Sequence, residues 1–572
     1  MTISGNEKVP TSDLEAAIST HSRPWYALWR PLPAFDPGVF ASDLQLIADL
    51  YRDRGYFEAK VSHDLAVDPD EKLVSAKIEI TEGDPVRVRE LSVDLVDAPE
   101  LKSDLDALLP KLPLQVGKIF AVDDYQRSES QLKGFFYDHG RARVQIQRKA
   151  QVILDQHEAR VFYTLTAGPP TKFGETTVEG LKSVQESVVR AELTYEKGQE
   201  FSGGALRNTE RNLRELDLFS RIEITPDTSP ADPTIVPVRI GVDEKPPREI
   251  RIGVGYGTED QLRGQIRWRS NNFFGGGRRL EIGAKASFIT RELNFNFLQP
   301  HFLDPKNKLL INFGPQEFVE PGYTQNATRL RPSIERHFTD RLTGYIAYRV
   351  EYDKLSKVSD ATAEALRDFQ NKGLLSGLSA GFTWNKANDP LNPTNGFILS
   401  FVGEQVGGPL GGKFNFFKLQ SQITGYYPLA EQTVFASRLK LGFAEPLHAD
   451  EDVPLFERFY AGGTNSVRGY ARSKLGPLSA SNDPIGGRSL IEGSLELRQH
   501  LYKEIGGAVF LDFGQVSRRS FDLPIGDLQF SAGVGVRYTT PVGPLRFDIG
   551  FPFHAPPGDR SWQIHFSIGQ FF

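Results

Sequence analysis

The chain has 572 residues, enough for several domains, and its formal net charge of -6 gives no support to a nucleic-acid partner. Mean hydropathy is -0.35 and no apolar run reaches about 18 residues, which excludes a helical membrane protein. The 53 glycines, 40 phenylalanines and 18 tyrosines instead suit a barrel, and the absence of cysteine rules out disulfides and thiolate metal sites.

Met1 to Arg30 shows neither a basic n-region nor an apolar h-region. Thr2-Ile3-Ser4-Gly5, followed by a helical stretch from Ser12 to Ile18, has the form of a module opening with Met1 already inside its first strand. The expectation is a truncated first strand and a coding sequence that extends upstream through a signal peptide.

The same module recurs with a period of roughly 80 to 85 residues. Tyr51 to Val61 (YRDRGYFEAKV) aligns with Phe136 to Ile146 (FYDHGRARVQI), matching Asp53 with Asp138 and Gly55 with Gly140. A third copy, Leu216 to Ile224, lacks the glycine. Each copy runs through two strand-like stretches into a proline junction: Glu82-Gly83-Asp84-Pro85, Ala167-Gly168-Pro169-Pro170 and Glu244-Lys245-Pro246-Pro247. In the third copy a strand ending in Gly180 leads to helical patterning from Val184 to Leu193 and a second amphipathic helix from Leu206 to Leu216. The predicted unit is β-α-α-β-β. Three such units in tandem resemble POTRA, the polypeptide-transport-associated domain, with boundaries at 1–86, 87–171 and 172–247.

From 248 to 572 helical periodicity nearly disappears, and segments of about 8 to 14 residues alternate apolar and polar between turns. Leu545, Phe547, Ile549, Phe551 and Phe553 form one face of a strand, with Arg546, Asp548 and Gly550 on the other. The terminal strand repeats this, with Trp562, Ile564, Phe566, Ile568 and Phe572 toward lipid and Gln563, His565, Ser567 and Gly569 toward the lumen. About sixteen strands are expected, an even number that leaves both barrel ends on the periplasmic side. Tight turns at Thr339-Asp340-Arg341, Ala430-Glu431-Gln432 and Pro541-Val542-Gly543 are assigned to that side, and longer loops, Ser356 to Asn371 with a short helix and Pro446 to Ser489, to the outside. The fold class is thus α+β tandem modules followed by an all-β 16-stranded transmembrane barrel set in outer-membrane lipid.

The longest loop contains Phe459 to Tyr470 (FYAGGTNSVRGY), followed by Gly493-Ser494-Leu495-Glu496-Leu497 and Phe510-Leu511-Asp512-Phe513-Gly514. These segments resemble the BamA/TamA superfamily of barrel assembly factors. Ile252 to Arg278 resembles the first hairpin of TamA and Gly533 to Gly550 the penultimate one. The resemblance implies that Val467, Arg468, Gly469 and Tyr470 form a loop tip folded back into the lumen. It also implies that Arg468 meets Asp512, flanked by Phe510 and Gly514, with Glu496 as a second lumenal acid. Gly462, Gly463 and Gly469 permit a tight backbone there. An arginine at about 4 Å from a carboxylate, at an effective dielectric near 20, gains about 4 kcal/mol before desolvation.

Three modules favour TamA over BamA, which usually carries five. The family then implies a TamB-like inner-membrane-anchored partner at the module end and unfolded outer-membrane proteins, including autotransporters, as clients. A BamA-type principal insertase and a two-partner secretion pore stand as alternatives; a passive porin or adhesin would have no use for the modules.

Catalysis finds no foothold. Gly377-Leu378-Ser379-Ala380-Gly381 matches a nucleophile elbow but lies within an alternating strand, and Gly407 to Phe414 approaches a phosphate loop with Phe414 where Ser or Thr is required. The ten histidines show no metal-ligand spacing, so neither metal nor cofactor is expected. Without an energy source, work must come from folding itself. The barrel closes where its first strand, with Gly253, Val254, Gly255 and Gly257, meets its last, with Ser567, Gly569 and Phe572. Glycines weaken strand packing, and an exposed strand edge templates another strand. This seam is the expected client site, and Val254 and Ser567 are taken as facing positions across it.

Overall fold

The computed structural model describes residues 1–23, 33–70, 73–366, 369–389, 392–502, 504–540, 543–555 and 560–568. The first module comprises β1 (Thr2–Ser4), α1 (Thr11–Ala17), α2 (Pro37–Asp53), β2 (Lys60–Asp68) and β3 (Leu73–Thr81). The second comprises β4 (Arg87–Leu95), α3 (Lys102–Leu108), α4 (Val122–Asp138), β5 (Gln145–Ile153) and β6 (Glu158–Thr166). The third comprises β7 (Lys172–Glu179), α5 (Glu186–Arg190), α6 (Gly203–Glu215), β8 (Phe219–Pro226) and β9 (Ile235–Glu244). In all three the last strand lies in the middle, giving orders β1-β3-β2, β4-β6-β5 and β7-β9-β8. The first strand is parallel to its central neighbour in each.

Local chemistry sets the helix ends. α2 starts at Asp36, whose carboxylate accepts from the backbone N–H groups of Gly38 (2.8 Å) and Val39 (3.2 Å), with proline at the first helical position. It stops at Gly55, whose φ of 91° an L side chain avoids, and Gly140 ends α4 in the same way at 73°. The third copy has no glycine to offer. Asp217 takes that left-handed position at φ 59°, a conformation short polar residues tolerate, and its carboxylate is held by Lys245 and by Arg269 at 3.1 Å.

The apolar faces of α2 and the first sheet meet in a core that includes Ile47, Tyr51, Ile78 and Ile80. Fully burying a side chain such as Ile47 contributes about 1.5–3 kcal/mol. In the third module Phe173 stacks on Tyr195 with ring centroids 4.0 Å apart. The patterning from Val184 to Leu193 predicts a longer helix than forms. α5 has five residues, because the Glu244 carboxylate takes the N–H groups of Lys182, Ser183 and Val184 before it, and Thr194 after it donates its hydroxyl to the Ala205 carbonyl.

The barrel begins with β10 (Arg248–Gly257), β11 (Gln261–Ser270), β12 (Arg279–Ala286), β13 (Thr290–Gln299) and β14 (Asn307–Glu320). It continues with β15 (Tyr323–Thr339), β16 (Leu342–Ser356), a short α7 (Asp360–Glu364), β17 (Lys372–Asn385), β18 (Gly396–Val406) and β19 (Phe416–Ala430). β20 (Thr433–Pro446), β21 (Ser489–Tyr502), β22 (Ile505–Ser517), β23 (Gln529–Thr540), β24 (Gly543–Pro552) and β25 (Gln563–Ile568) complete it. These sixteen strands among the described residues form one closed antiparallel barrel in sequence order. Among the described residues no helix is long and apolar enough to cross a membrane; the strands carry the apolar surface. Ile252, Val254 and Phe551 face outward, whereas Asp548 is fully buried between outward neighbours on its own strand.

The tight turns at 340–341 and 431–432 and the helix in the 357–371 loop fall where alternation places them, while Pro541 and Val542 lie outside the described residues. The closing register differs from the expected one. β25 pairs Ile568 with Tyr256 and Ser567 with Gly257, so Ser567 sits three residues along from Val254. Register is fixed by the hydrogen-bond ladder around the whole barrel, which the pattern of a single strand does not contain. Gly253, Val254 and Gly255 pair with Gln265, Gly264 and Arg263 on β11, and Gly569 and Phe572 lie outside the described residues.

Candidate functional site

Residues 447–488 leave the barrel wall between β20 and β21 and fold into the lumen. The turn into the lumen uses Gly462 and Gly463, with φ of 99° and 103°. Gly469 serves differently. Its φ is ordinary, but a β-carbon there would stand 2.5 Å from Ser531 Cβ and 2.8 Å from the Pro552 nitrogen, so bulk is what it must lack. Gly550 likewise leaves room for the Arg468 carbonyl, 2.1 Å from where a β-carbon would be.

Arg468 is the centre of the tip. Its Nε donates to Asp512 Oδ2 at 2.7 Å and its Nη2 to Oδ1 at 2.9 Å, a bidentate fork that lysine has no geometry to copy. The backbone N–H of Arg468 donates to the same carboxylate at 3.0 Å. Nη1 reaches Glu496 at 2.9 Å and Asp548 at 3.4 Å, and Nη2 reaches the Ser494 hydroxyl at 3.2 Å. The guanidinium carbon lies 3.4 Å from the Phe510 ring centroid, a cation–π contact. Asp512 is fully buried and Arg468 nearly so, which makes each dependent on the other. Asp548 also holds Arg546 at 2.6 Å and Arg537, and Glu496 holds Arg498 at 2.8 Å.

The flanking motif residues do the packing. Gly514 makes space for Val467, and Gly533 makes space for the Phe510 ring. Tyr470 is buried with its hydroxyl 3.2 Å from the His554 carbonyl and 3.4 Å from that of Phe530. The structure therefore gathers Val467, Arg468, Gly469, Tyr470, Glu496, Phe510, Asp512 and Gly514 against β21–β24. It places Gly253, Val254, Gly255 and Gly257 on β10, the first strand of the barrel. Beyond the tip lies a chamber of 1130 Å³ whose lining includes Arg438, Arg468, Glu496, Arg498, Arg537 and Arg546.

A second ionic cluster escapes the motif reading. Glu457, early in the loop, receives Arg349 Nη1 of β16 at 2.7 Å and Lys418 Nζ of β19 at 2.9 Å. Arg349 also donates to Glu404 at 2.9 Å and Glu351 at 3.1 Å, and Glu351 takes a two-fold contact from Arg329 at 2.7 and 3.0 Å. The alternation Arg349, Glu351, Asp353 along one strand is the signal in the sequence, since it places three charged residues on one inward face. The loop is thus tied by ions to three stretches of wall: β16–β19 near its start, β21–β24 at its tip, and the end of β14, where Arg472 meets Glu320 at 2.5 Å. No group of three His, Asp or Glu able to hold a metal occurs among the described residues.

The Omp85 superfamily domain matches residues 272–572, and the POTRA model, described as a surface antigen variable number repeat, matches 1–83 and 171–245. The chain is 26% identical over 588 positions to the outer membrane protein assembly factor BamA of Nitratidesulfovibrio vulgaris, covering 100% of this chain and 72% of that protein. The crystal structure of BamA from Haemophilus ducreyi lacking POTRA domains 1-3 superposes with a TM-score of 0.64 at 20% identity, covering 84% of this chain and 99% of that one. CdiB from Escherichia coli shares the fold with a TM-score of 0.51 at 13% identity over 94% of this chain and 99% of that one. The chain belongs to the Omp85 superfamily, with POTRA domains in the periplasm followed by a barrel in the bacterial outer membrane.

Proposed function

We propose that the chain is an outer-membrane protein assembly factor that inserts barrel clients by templating a strand at the seam between β10 and β25. One observation carries this reading. Among the described residues β10 shares two register pairs with β25, against ten with β11, while β25 shares six with β24. A wall that opens laterally opens at this junction, where the described pairs are fewest. The freed edge of β10, with Ile250, Ile252 and Val254 already facing lipid, then offers a ladder and an apolar face to an incoming strand. The solvent-exposed edge strands β2 and β5 of the modules offer similar pairing in the periplasm.

Three module sheets support a TamA-like role with a TamB-like partner at the periplasmic end and autotransporters among the clients. The likeness to BamA supports the principal insertase instead. Depletion separates them: losing a principal insertase stops the assembly of all barrels, losing a TamA-like factor only of some. Lateral templating itself is tested by Gly257→Cys with Ser567→Cys, a pair of register partners in a chain otherwise free of cysteine. Oxidation should abolish client insertion and reductant should restore it. Insertion at the wild-type rate through a fully oxidised seam would overturn the reading and leave a periplasmic chaperone role for the modules.

A further inference from the structure

Among the described residues the seam has two register pairs, and a second kind of contact reinforces it. The loop tip supplies that contact. Glu259 stands in the hairpin joining β10 to β11, on one side of the seam, and His565 stands on β25, on the other. Thr464, two residues past the Gly462 turn, touches both. Its backbone N–H donates to Glu259 Oε1 at 2.6 Å and its hydroxyl donates to the same oxygen at 2.7 Å, while that hydroxyl lies 2.8 Å from His565 Nδ1. The other imidazole nitrogen, Nε2, lies 3.3 Å from the Arg468 carbonyl. His565 is buried, and a β-carbon at Gly463 would come 2.8 Å from Glu259 Oε1, so the carboxylate fits closely against the turn. By comparison, the ladder beside it runs through Tyr256–Ile568 and Gly257–Ser567, with the Thr258 N–H donating to the Phe566 carbonyl at 3.0 Å.

We propose that Glu259, Thr464 and His565 form a clasp across the seam, so that the seam stays closed while the loop tip is seated and is released when the tip moves. The clasp is the regulation of the opening proposed above and rests on that reading. Its logic is that of one part bridging two. Glu259 and His565 approach each other to 3.8 Å, beyond hydrogen-bond reach, and Thr464 stands between them, hydrogen-bonded to Glu259 and 2.8 Å from His565 Nδ1. Seating of Thr464 depends in turn on Arg468, four residues on, whose fork to Asp512 fixes the tip against β22. A displacement that breaks that fork withdraws a shared partner from both seam residues at once and leaves the seam to its strand ladder and the 3.8 Å approach of Glu259 to His565. The three clasp residues act as positioning residues for the seam.

The test reads backbone hydrogen exchange of β10 and β25 in the full chain, in bilayers without client, with β16 and β17 as an internal reference. Glu259→Ala and Thr464→Val should each raise exchange at the seam, by about tenfold for a lost hydrogen bond to a charged acceptor, while β16 and β17 stay as in wild type. Thr464→Ser, which keeps the hydroxyl, should exchange like wild type. Arg468→Ala should also loosen the seam, and should add little in a chain already carrying Glu259→Ala, because both act through the same bridge. Wild-type seam exchange in both Glu259→Ala and Thr464→Val would overturn the clasp, and so would full additivity of Glu259→Ala with Arg468→Ala. The oxidised Gly257→Cys, Ser567→Cys chain judges lateral templating separately: insertion blocked there with no effect in the clasp variants sinks the clasp alone, and insertion unimpeded there sinks templating alone.

Discussion

Val467 rests on Gly514: a β-carbon at 514 would stand 2.9 Å from Val467 Cγ2 and 3.1 Å from the Ile491 carbonyl oxygen. The glycine of the Phe-x-Asp-x-Gly strand is therefore a seat for the loop. Gly514→Ala should overpack this contact, at a cost of about 1–3 kcal/mol. Protease cleavage of the loop should rise in intact membranes. Val467→Ala in the same chain should return part of the protection, and equal cleavage in wild type and Gly514→Ala would show that the seat has room to spare.

Arg468→Ala should be the most damaging single change in the loop, since it leaves Asp512 buried without its cation, a loss of about 3–5 kcal/mol. Arg468→Lys keeps the charge and loses the fork, so it should fall between. Exchanging the charges of 468 and 512 should recover only a small part, because Glu496 and Asp548 also face the position Arg468 fills. Barrel heat-modifiability on gels and client assembly in cells are the readouts, and wild-type behaviour of Arg468→Ala would remove the proposed role.

Glu457→Gln should loosen the early part of the loop while leaving the tip seated. The change removes the carboxylate charge shared by Arg349 and Lys418 but keeps its shape. Exchange protection of residues near Leu455 should fall, with protection at Val467 and Tyr470 retained. Loss of protection at the tip as well would mean that the two ionic anchors act as one unit.

Acid should loosen the segment that Glu244 holds in the third module. Burial alone would raise its pKa, but hydrogen bonds from the Ser183 hydroxyl and from the N–H groups of Lys182, Val184 and Ser183 outweigh burial and hold it at about 2. A carboxylate depressed in the folded state stabilises that state above its ordinary pKa of 4.5, and the contribution is lost as pH falls toward 2. Amide protection at 182–184 should decline through that window in wild type and be low and flat in Glu244→Gln. A pH-independent protection in wild type would contradict the assignment.

Much of this architecture could be read from the chain. Strand alternation announces itself because each residue's face is set by its neighbours two away, and so Phe547, Asp548 and Ile549 reveal their sides without any partner strand. The tip motifs were legible through resemblance: the segments around Arg468, Glu496 and Asp512 match those of the family, and the resemblance implied that they meet. What stayed hidden depends on distant partners. The Glu457 cluster draws on strands far apart in sequence, the seam register on the ladder around the barrel, and the late start of α5 on Glu244, more than fifty residues later. Asp217 in the place of Gly55 and Gly140 was hidden for another reason: its left-handed backbone leaves no mark on the residue type.

The central claim is that a client strand adds to the edge of β10, and site-specific cross-linking from a stalled client tests it most directly. A small barrel client carrying one cysteine in its terminal strand should cross-link to Ile252→Cys or Val254→Cys on β10 and leave Ile346→Cys on β16, an equally outward-facing position, unmodified. Shifting the client cysteine by two residues should move the preferred partner along β10 by two, as a shared ladder requires. Cross-links that ignore this spacing, or that favour lumenal positions such as Arg498→Cys, would contradict strand templating.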